Sequence, residues 1–427
     1  MYPDWPESDA DLVPLPRCDG PKLKPFDFQG PQRIEFLERI GEGLHSHVFK
    51  VQILGQIYAL KLFRFCYNEN WLSPDTYGSS PEDEREAMSV FYNYSEPFSC
   101  ECRAFGRLQE AGHEELATKC HGYVLLDEEH EQAMMTQFSH LDLIFNGDID
   151  YPGVHEEDNM RGRYIGKSGK EPPIRGLVKD FGFDFNVDRE ESIRAPLLRK
   201  ILRDVTKLQQ LGIIQIDVAP RQIVDDRLSD FSTAITIPHF FTTPELNPHL
   251  TPEMIAVMEL ETFRQSLNDY LDFDHMIFDW NIEFADQKGK MSVWAFPNRR
   301  GCQIKYNLRS RAGRGRAYTF VDPRKYDWKT CPAGAGTSKD ETTKRRGSGR
   351  ISKGSKHGKS QGVARRQLSA RPPRWYFHCN SELAEDLGKP TGFTSLMDWH
   401  YERGFIFPRR DEHFEWSLRE LALASPS

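Results

Sequence analysis

Polar and apolar positions largely alternate through Arg33-Ile34-Glu35-Phe36-Leu37-Glu38-Arg39-Ile40, the period of a strand with one buried face. Val48 to Ile53 predicts a returning strand, Leu54-Gly55-Gln56 a turn, and Ile57 to Phe65 a third strand. Strands joined this closely form a β-meander. A helix is expected over Ser99 to Glu110, with Ala104 and Leu108 on one face and Ser99 as its cap. Tyr123 to Leu126 predicts a short apolar strand, and Ile174 to Phe181 a strand that runs into a hinge. Leu197, Leu198, Ile201, Leu202, Val205 and Leu208 recur at helical spacing, so a helix is expected from Ala195 to Leu211, ended by Gly212. Ala256, Leu260, Phe263 and Leu267 predict a further helix over Pro252 to Tyr270.

The pattern fails elsewhere. Residues 66–97 are rich in Asn, Ser, Pro and acidic residues and are expected to be an insertion. Residues 330–373 carry Gly, Ser, Lys and Arg with almost no apolar content, the composition of a disordered segment. A hydrophobic fraction of 38% is low for a chain folded throughout, and a mean hydropathy of -0.63 agrees. Five regions are expected: an irregular arm at 1–30, a first lobe with insertions at 31–182, a reduced second lobe at 183–298, a basic disordered segment at 299–373, and an aromatic-rich segment at 374–427. That last segment holds Trp375, Tyr376, Phe377, Phe393, Leu396, Trp399, Tyr401, Phe405, Phe407 and Trp416, and is expected to dock on the body or form a small helical cap.

Charge sharpens this division. The net charge of -8 averages 22 Lys/Arg against 4 Asp/Glu over residues 299–374 (+18) with 34 against 60 over the rest (-26). An acidic body carrying a polycation is a signal of a partner. No apolar run approaches the ~20 residues of a membrane helix, and Met1-Tyr2-Pro3-Asp4-Trp5-Pro6 shows no signal-peptide pattern. The eight cysteines form no small disulfide framework, and Cys100, Cys102, His113 and Cys120 match no common zinc spacing. Reduced thiols in the cytosol or nucleus are expected.

Four short segments carry the candidate chemistry. Gly41-Glu42-Gly43-Leu44-His45-Ser46-His47-Val48 lies between two predicted strands, where Gly41 and Gly43 let backbone approach phosphate oxygens. Tyr58-Ala59-Leu60-Lys61 puts an ammonium on a strand. Asp217, in Gln215-Ile216-Asp217-Val218-Ala219-Pro220-Arg221-Gln222, follows a helix and a short strand, and Asp230-Phe231-Ser232 lies 13 residues on. In this order the segments resemble the nucleotide site of protein kinases: glycine loop, strand lysine, catalytic-loop aspartate, metal aspartate.

The resemblance implies an α+β, protein-kinase-like two-lobed fold with a reduced C-lobe. It implies that Gly41, Gly43, Ser46 and Val48 line the nucleotide, Val48 against the adenine. Lys61 would hold the α- and β-phosphates, with Glu101 as its helix partner and Glu114 and Glu115 as alternatives. Asp217 would orient a hydroxyl nucleophile, and Asp230 with Gln222 would bind Mg²⁺ beside ATP. The chain departs from the pattern at Ile216, Ala219, Gln222, Ser46 and Ser232, where kinases keep Arg, Lys, Asn, Gly and Gly. Thr243-Pro244-Glu245 resembles the end of an activation segment.

Leu23-Lys24-Pro25-Phe26-Asp27-Phe28, Ile34 to Leu37, Gly41 to Val51, Tyr58 to Phe65 and Cys100-Glu101-Cys102-Arg103-Ala104-Phe105-Gly106-Arg107-Leu108 resemble a fungal kinase-like family. That family is named for a subunit of the inner kinetochore complex of fission yeast, and the resemblance covers roughly residues 20–245. It implies a nuclear, centromere-associated assembly component with kinetochore subunits as partners; a cytoplasmic location is the alternative. An active atypical kinase acting on a Ser/Thr or small-molecule hydroxyl is a second expectation. A chromatin-binding scaffold without nucleotide is a third. The basic clusters at Arg309, Arg311, Arg314 and Arg316, at Lys344-Arg345-Arg346 and at Arg365-Arg366 suit non-specific DNA binding through phosphate neutralisation; a plain linker, a nuclear-import signal or docking on the acidic body are alternatives.

Overall fold

The computed structural model describes residues 20–66, 90–147, 160–163, 171–182, 194–295, 323–327, 368, 377–388, 397–402 and 404–410. Outside them lie residues 1–19 of the expected arm, 67–89 of the expected insertion, the basic clusters named above, and Trp375, Tyr376, Phe393, Leu396 and Trp416.

The meander forms as β1 (Glu35–Gly43), β2 (Ser46–Ile53) and β3 (Gln56–Phe63). Leu54 (φ 52°) and Gly55 (φ 77°) are both left-handed, the two-residue turn whose twist matches paired strands. Two further strands, β4 (Cys120–Leu125) and β5 (Arg175–Asp180), complete a five-stranded antiparallel sheet ordered β1-β2-β3-β5-β4.

Strand alternation divides the core. Tyr58, Leu60 and Leu62 of β3, Val124 of β4 and Val178 of β5 join a cluster with Phe36, Phe49, Met134 and Phe138. There the helix α2 (Glu128–Gln137) packs, capped by the Asp127 side chain. Phe63, Tyr123, Leu125 and Leu177 belong to the other cluster, where α1 (Pro97–Ala111) packs. Lys61 and Lys179 share that second face by parity, because Lys61 pairs with Leu177 and Ala59 with Lys179.

Two helix boundaries correct the sequence expectation. The cap of α1 is Glu96, whose carboxylate accepts from the Ser99 N–H at 3.0 Å; Ser99 is two residues inside the helix, behind Pro97. The last helix, α4, runs from Pro252 to Lys288, well past Tyr270. Tyr270, Phe273, Ile277 and Trp280 continue its buried stripe, while the interspersed Asp residues obscured the period; Asp269 and Asp274 are buried with it. At its start Ala256 is exposed rather than part of the stripe, which begins with Met258 and Leu260.

Between α1 and α4 lie α3 (Ala195–Gln210) and the short strands β6 (Ile213–Ile214), β7 (Ile223–Val224), β8 (Arg227–Leu228) and β9 (Ile235–Thr236). β6 pairs with β9 and β7 with β8. The C-terminal segment forms β10 (Phe377–His378), α5 (Ser381–Gly388), β11 (Met397–Glu402) and β12 (Phe405–Arg410), a small antiparallel sheet with its helix. Cys379, Ala384 and Ile406 join the core of α1, α3 and α4.

The N-terminal arm is fastened from Lys22 onward. Phe26 N–H donates to the Tyr123 carbonyl (2.9 Å) and Tyr123 N–H to that of Lys24 (3.1 Å), along the outer edge of β4. This path needs glycine at two positions: a Cβ on Gly106 would meet the Lys22 backbone at 2.7 Å, and one on Gly122 (φ 143°) the Phe26 nitrogen at 2.6 Å.

Candidate functional site

Lys61 projects from β3 toward α1, where its Nζ lies 2.8 Å from Glu101 Oε2 and 2.7 Å from Asp230 Oδ1. Glu101 is fully buried, and the side chain of Lys61 is 6% exposed, so each charge needs its partner. Burial would depress the Lys61 ammonium, yet Asp230 and then Glu101 hold it above its ordinary value. Burial would likewise raise the Asp230 carboxyl, but Lys61, then Lys179, bring it far below the usual carboxylate range.

Lys179 completes the cluster and was not singled out from the sequence. Its ammonium bonds the other Glu101 oxygen and donates to the Ser229 carbonyl at 2.7 Å. Two ammonium groups thus share one buried carboxylate. The alternatives Glu114 and Glu115 are exposed in a separate 3₁₀ turn, where Glu115 meets His113 at 3.2 Å.

The loop of Asp217 is built from below. Asp269, on α4, accepts from Ile216 N–H (2.6 Å), Gln215 N–H (3.2 Å) and Gln209 Nε2 (3.0 Å). Ile216 sits at φ 69°, a costly conformation for a β-branched residue. The buried carboxylate holds that backbone in place and so orients the next residue, Asp217. Burial pushes Asp269 up to about 6, against the pull of the three donors. Asp272, beneath Val218, is raised to about 7 by burial and the neighbouring Asp269. Gln215 Nε2 also bonds the Asp230 carbonyl, tying the two acidic segments together.

Asp217 itself is engaged. Arg221 Nη2 reaches its oxygens at 2.7 and 2.8 Å, and Gln222 Nε2 donates at 2.6 Å. The short interval to Asp230 is spanned by the β7–β8 hairpin, whose turn residues Asp225 and Asp226 are left-handed (φ 46° and 63°). Asp230 accepts from Ser232 N–H at 2.9 Å, while Phe231 packs edge-on against Phe105 of α1 at 5.2 Å.

The glycine loop closes over this cluster. Gly41 pairs with Val48 and Gly43 with Ser46. A Cβ on Gly41 would lie 3.6 Å from Val48, and one on Gly43 would meet nothing within 4 Å, so the protein's own packing does not require either glycine. Ser46 is buried and Val48 half-buried. At the tip His45 Nδ1 meets Ser232 Oγ at 3.0 Å. Burial, then the Lys61 charge, lower His45 to about 4, so its imidazole is neutral near pH 7. Arg64 fastens the loop: its N–H donates to the His45 carbonyl (2.9 Å), and its guanidinium holds Glu42 at 2.7 Å and the Ile144 carbonyl at 2.6 Å.

Cys66, Cys100, Cys102, Cys120 and Cys379 are buried free thiols. Burial raises Cys100, Cys102, Cys120 and Cys379, Cys120 to about 12, which keeps these four protonated and unreactive. No helix among the described residues is long and apolar enough to cross a membrane.

Lys61, Glu101 and Asp230 are thus in contact, with Ser46, Val48 and the glycines in the loop above, and Asp217 with Gln222 on an adjoining loop. Sequence reasoning missed Lys179, Asp269 and His45. The usable signals were the strand parity that puts Lys179 beside Lys61, and an aspartate inside an apolar helical stripe.

Residues 12–235 match the family model described as Kinetochore Sim4 complex subunit FTA2, more than half of the 427-residue chain. No curated protein matches it. The matched stretch runs from the arm through the ion-pair cluster and stops short of α4.

Proposed function

The chain belongs to the family of the kinetochore Sim4 complex subunit FTA2, and from that premise we propose that it is a nuclear, centromere-associated assembly component with a kinase-like body and a degenerate nucleotide site. The observation that carries the second half is the Lys61 ammonium bound at once to Glu101 of α1 and to Asp230. Residues 40 and 169 positions apart in the chain meet in the relation a kinase uses to hold phosphates beside a metal. The antiparallel sheet with α1 on the Lys61 face, and the Asp217 loop held up by α4, support the same reading.

The fit to ligands is uneven. Lys61 suits phosphate oxygens. The residues that would hold Mg²⁺ are Asp230 and Gln222: the contacts of Asp230 with Lys61 and Ser232 N–H both fall on Oδ1, and Gln222 donates its amide N–H to Asp217, which Arg221 also holds. Among the described residues no group of three or more His, Cys, Asp or Glu side chains could hold a metal. The donor set therefore suits the phosphate chain of ATP at Lys61 and offers Mg²⁺ Asp230 Oδ2 and the Gln222 carbonyl oxygen, a sparse set that phosphate oxygens and water would have to complete. With Ile216, Ala219 and Gln222 where a kinase keeps Arg, Lys and Asn, the loop binds and orients poorly for transfer.

Two measurements test the two halves. A tagged chain in fungal cells is expected to co-localise with centromeres and co-purify with other inner-kinetochore subunits; diffuse signal and no co-purification would overturn the assembly role. A thermal-shift titration with ATP, with and without Mg²⁺, is expected to raise Tm in wild type and not in Lys61→Met. No rise at millimolar ATP would remove the nucleotide site and leave a scaffold.

A further inference from the structure

Helix α1 carries two pairs of side chains at four-residue spacing, Glu101 with Phe105 and Arg103 with Arg107, so each pair shares a face. The first pair meets Lys61 and Phe231 at the ion-pair cluster. The second turns to the chain beyond Asp230. Arg103 Nη2 donates to the Thr236 carbonyl at 2.9 Å and also to that of Pro238, and Arg107 Nη2 donates to the Ile237 carbonyl. Three consecutive carbonyls of one segment are thus taken by one helix.

Both arginines are buried. The Arg103 guanidinium lies 5.0 Å from the centroid of the Tyr94 ring, and the Tyr94 carbonyl accepts from His239 Nε2 at 3.0 Å. Arg107 is paired with Glu110 at 3.0 Å. The segment they hold is itself turned inward. None of its hydroxyl-bearing residues, Ser232, Thr233, Thr236, Thr242 and Thr243, is exposed. Ser232 meets His45, and the Thr242 hydroxyl donates to the His239 carbonyl at 2.9 Å.

We propose that Arg103 and Arg107 are positioning residues of the nucleotide site, which fix the segment after Asp230 to the helix of Glu101 without phosphorylation. The clamp stands on the arginine contacts, and its consequence for a ligand rests on the nucleotide reading. Lys61 bonds Asp230 and Glu101 at once, so the two carboxylates must keep a fixed separation. Phe231 on Phe105, and three carbonyls on two arginines, refer the Asp230 segment to the helix that carries Glu101. Kinase activation loops are ordered by a phosphorylated side chain that pairs with arginine. Here Ile216 stands where that pattern keeps the catalytic-loop arginine, and the arginines of α1 bond main-chain oxygens of the segment. Main-chain carbonyls are present in every modification state, and a charged donor makes each bond stronger than a neutral one.

The test is hydrogen–deuterium exchange of the full chain after phosphatase treatment, read by mass spectrometry in peptides spanning residues 229–243. Slow exchange is expected there in the dephosphorylated wild type. Arg103→Met is expected to speed it ~10-fold or more, the loss of one buried charge-assisted hydrogen bond or more. The effect should include residues 229–232 around Asp230. Arg103→Lys, which keeps a charged donor, should regain part of the protection. Arg107→Met, which breaks one of the three carbonyl bonds, should open the same peptides less and serves where Arg103→Met does not fold. Fast exchange in dephosphorylated wild type, protection that appears only with phosphate, or variants that open residues 236–243 and leave 229–232 unchanged would overturn the clamp. So would loss of protection spread evenly over the whole chain. The nucleotide reading fails on a different result: a wild-type Tm unmoved by ATP removes the ligand, while slow exchange over 229–243 in the same dephosphorylated sample upholds the clamp.

Discussion

His45 and Ser232, 187 positions apart, meet at 3.0 Å between Nδ1 and Oγ, so the tip of the glycine loop rests on the segment that carries Asp230. The imidazole is buried beside Lys61 and Asp230, in the space that phosphates would need on the nucleotide reading. His45→Gly is therefore expected to enlarge the thermal response to ATP, with half-saturation lowered several-fold. Ser232→Ala should act in the same direction more weakly. Identical titrations for wild type and His45→Gly would show that the imidazole obstructs nothing.

Glu101 neutralises two ammonium groups while Lys61 is one of two that neutralise Glu101, which predicts an order of damage. Glu101→Gln leaves two buried ammonium groups, Lys61 and Lys179, with Asp230 as the one carboxylate between them and should cost about 3–5 kcal/mol in urea unfolding. Lys61→Met leaves Lys179 as partner and should cost about 1–3 kcal/mol. The reverse order would mean that Lys179 carries little of the load.

Asp269 gives a pH signature. Its folded value, about 6, lies above the ordinary 3.8, so the folded chain holds this proton more tightly than the unfolded one. That part of the stability is present below pH ~4 and lost as pH rises through 6. The stability difference between wild type and Asp269→Asn should then fall by about 1–3 kcal/mol from pH 4 to 6.5. A difference independent of pH would place the titration elsewhere.

His239 titrates in the opposite sense. It donates through Nε2 to the Tyr94 carbonyl (3.0 Å) and accepts Phe241 N–H at Nδ1 (3.2 Å), so the neutral ring uses both nitrogens. Burial, then Arg103, lower it to about 3. A depressed histidine stabilises fully above pH 6.5, and that contribution is lost as pH falls from 6.5 toward 3. ¹⁵N chemical shifts of the ring should report the Nε2–H form down to the onset of acid unfolding, and protonation near pH 6 in the native state would contradict this environment.

Much of the sheet was legible because its code is local. Alternation marked β1 to β3, and Leu54-Gly55-Gln56 read as a turn, though Gln56 already opens β3. The nearness of Lys61 and Glu101 follows from a strand lysine and a glutamate on the helix packed over the same face. Lys179 was hidden because a lysine at the end of an apolar strand reads as a surface residue. Asp269 was hidden because its acceptors' donors are backbone groups 53 and 54 positions away, which leave no pattern in composition. The far half of α4 was lost for the same reason: buried aspartates made a continuous helix look polar.

The docked arm has a consequence for how the chain meets other subunits. Lys24 and Phe26 already occupy the free rim of β4, and on the opposite rim Gln137 donates to the Phe36 carbonyl at 2.8 Å, beside the charged Glu38, Arg39 and Glu42. A foreign strand finds the β4 border taken and, on the β1 border, one carbonyl capped among charged side chains, so both borders discourage lateral ribbon growth.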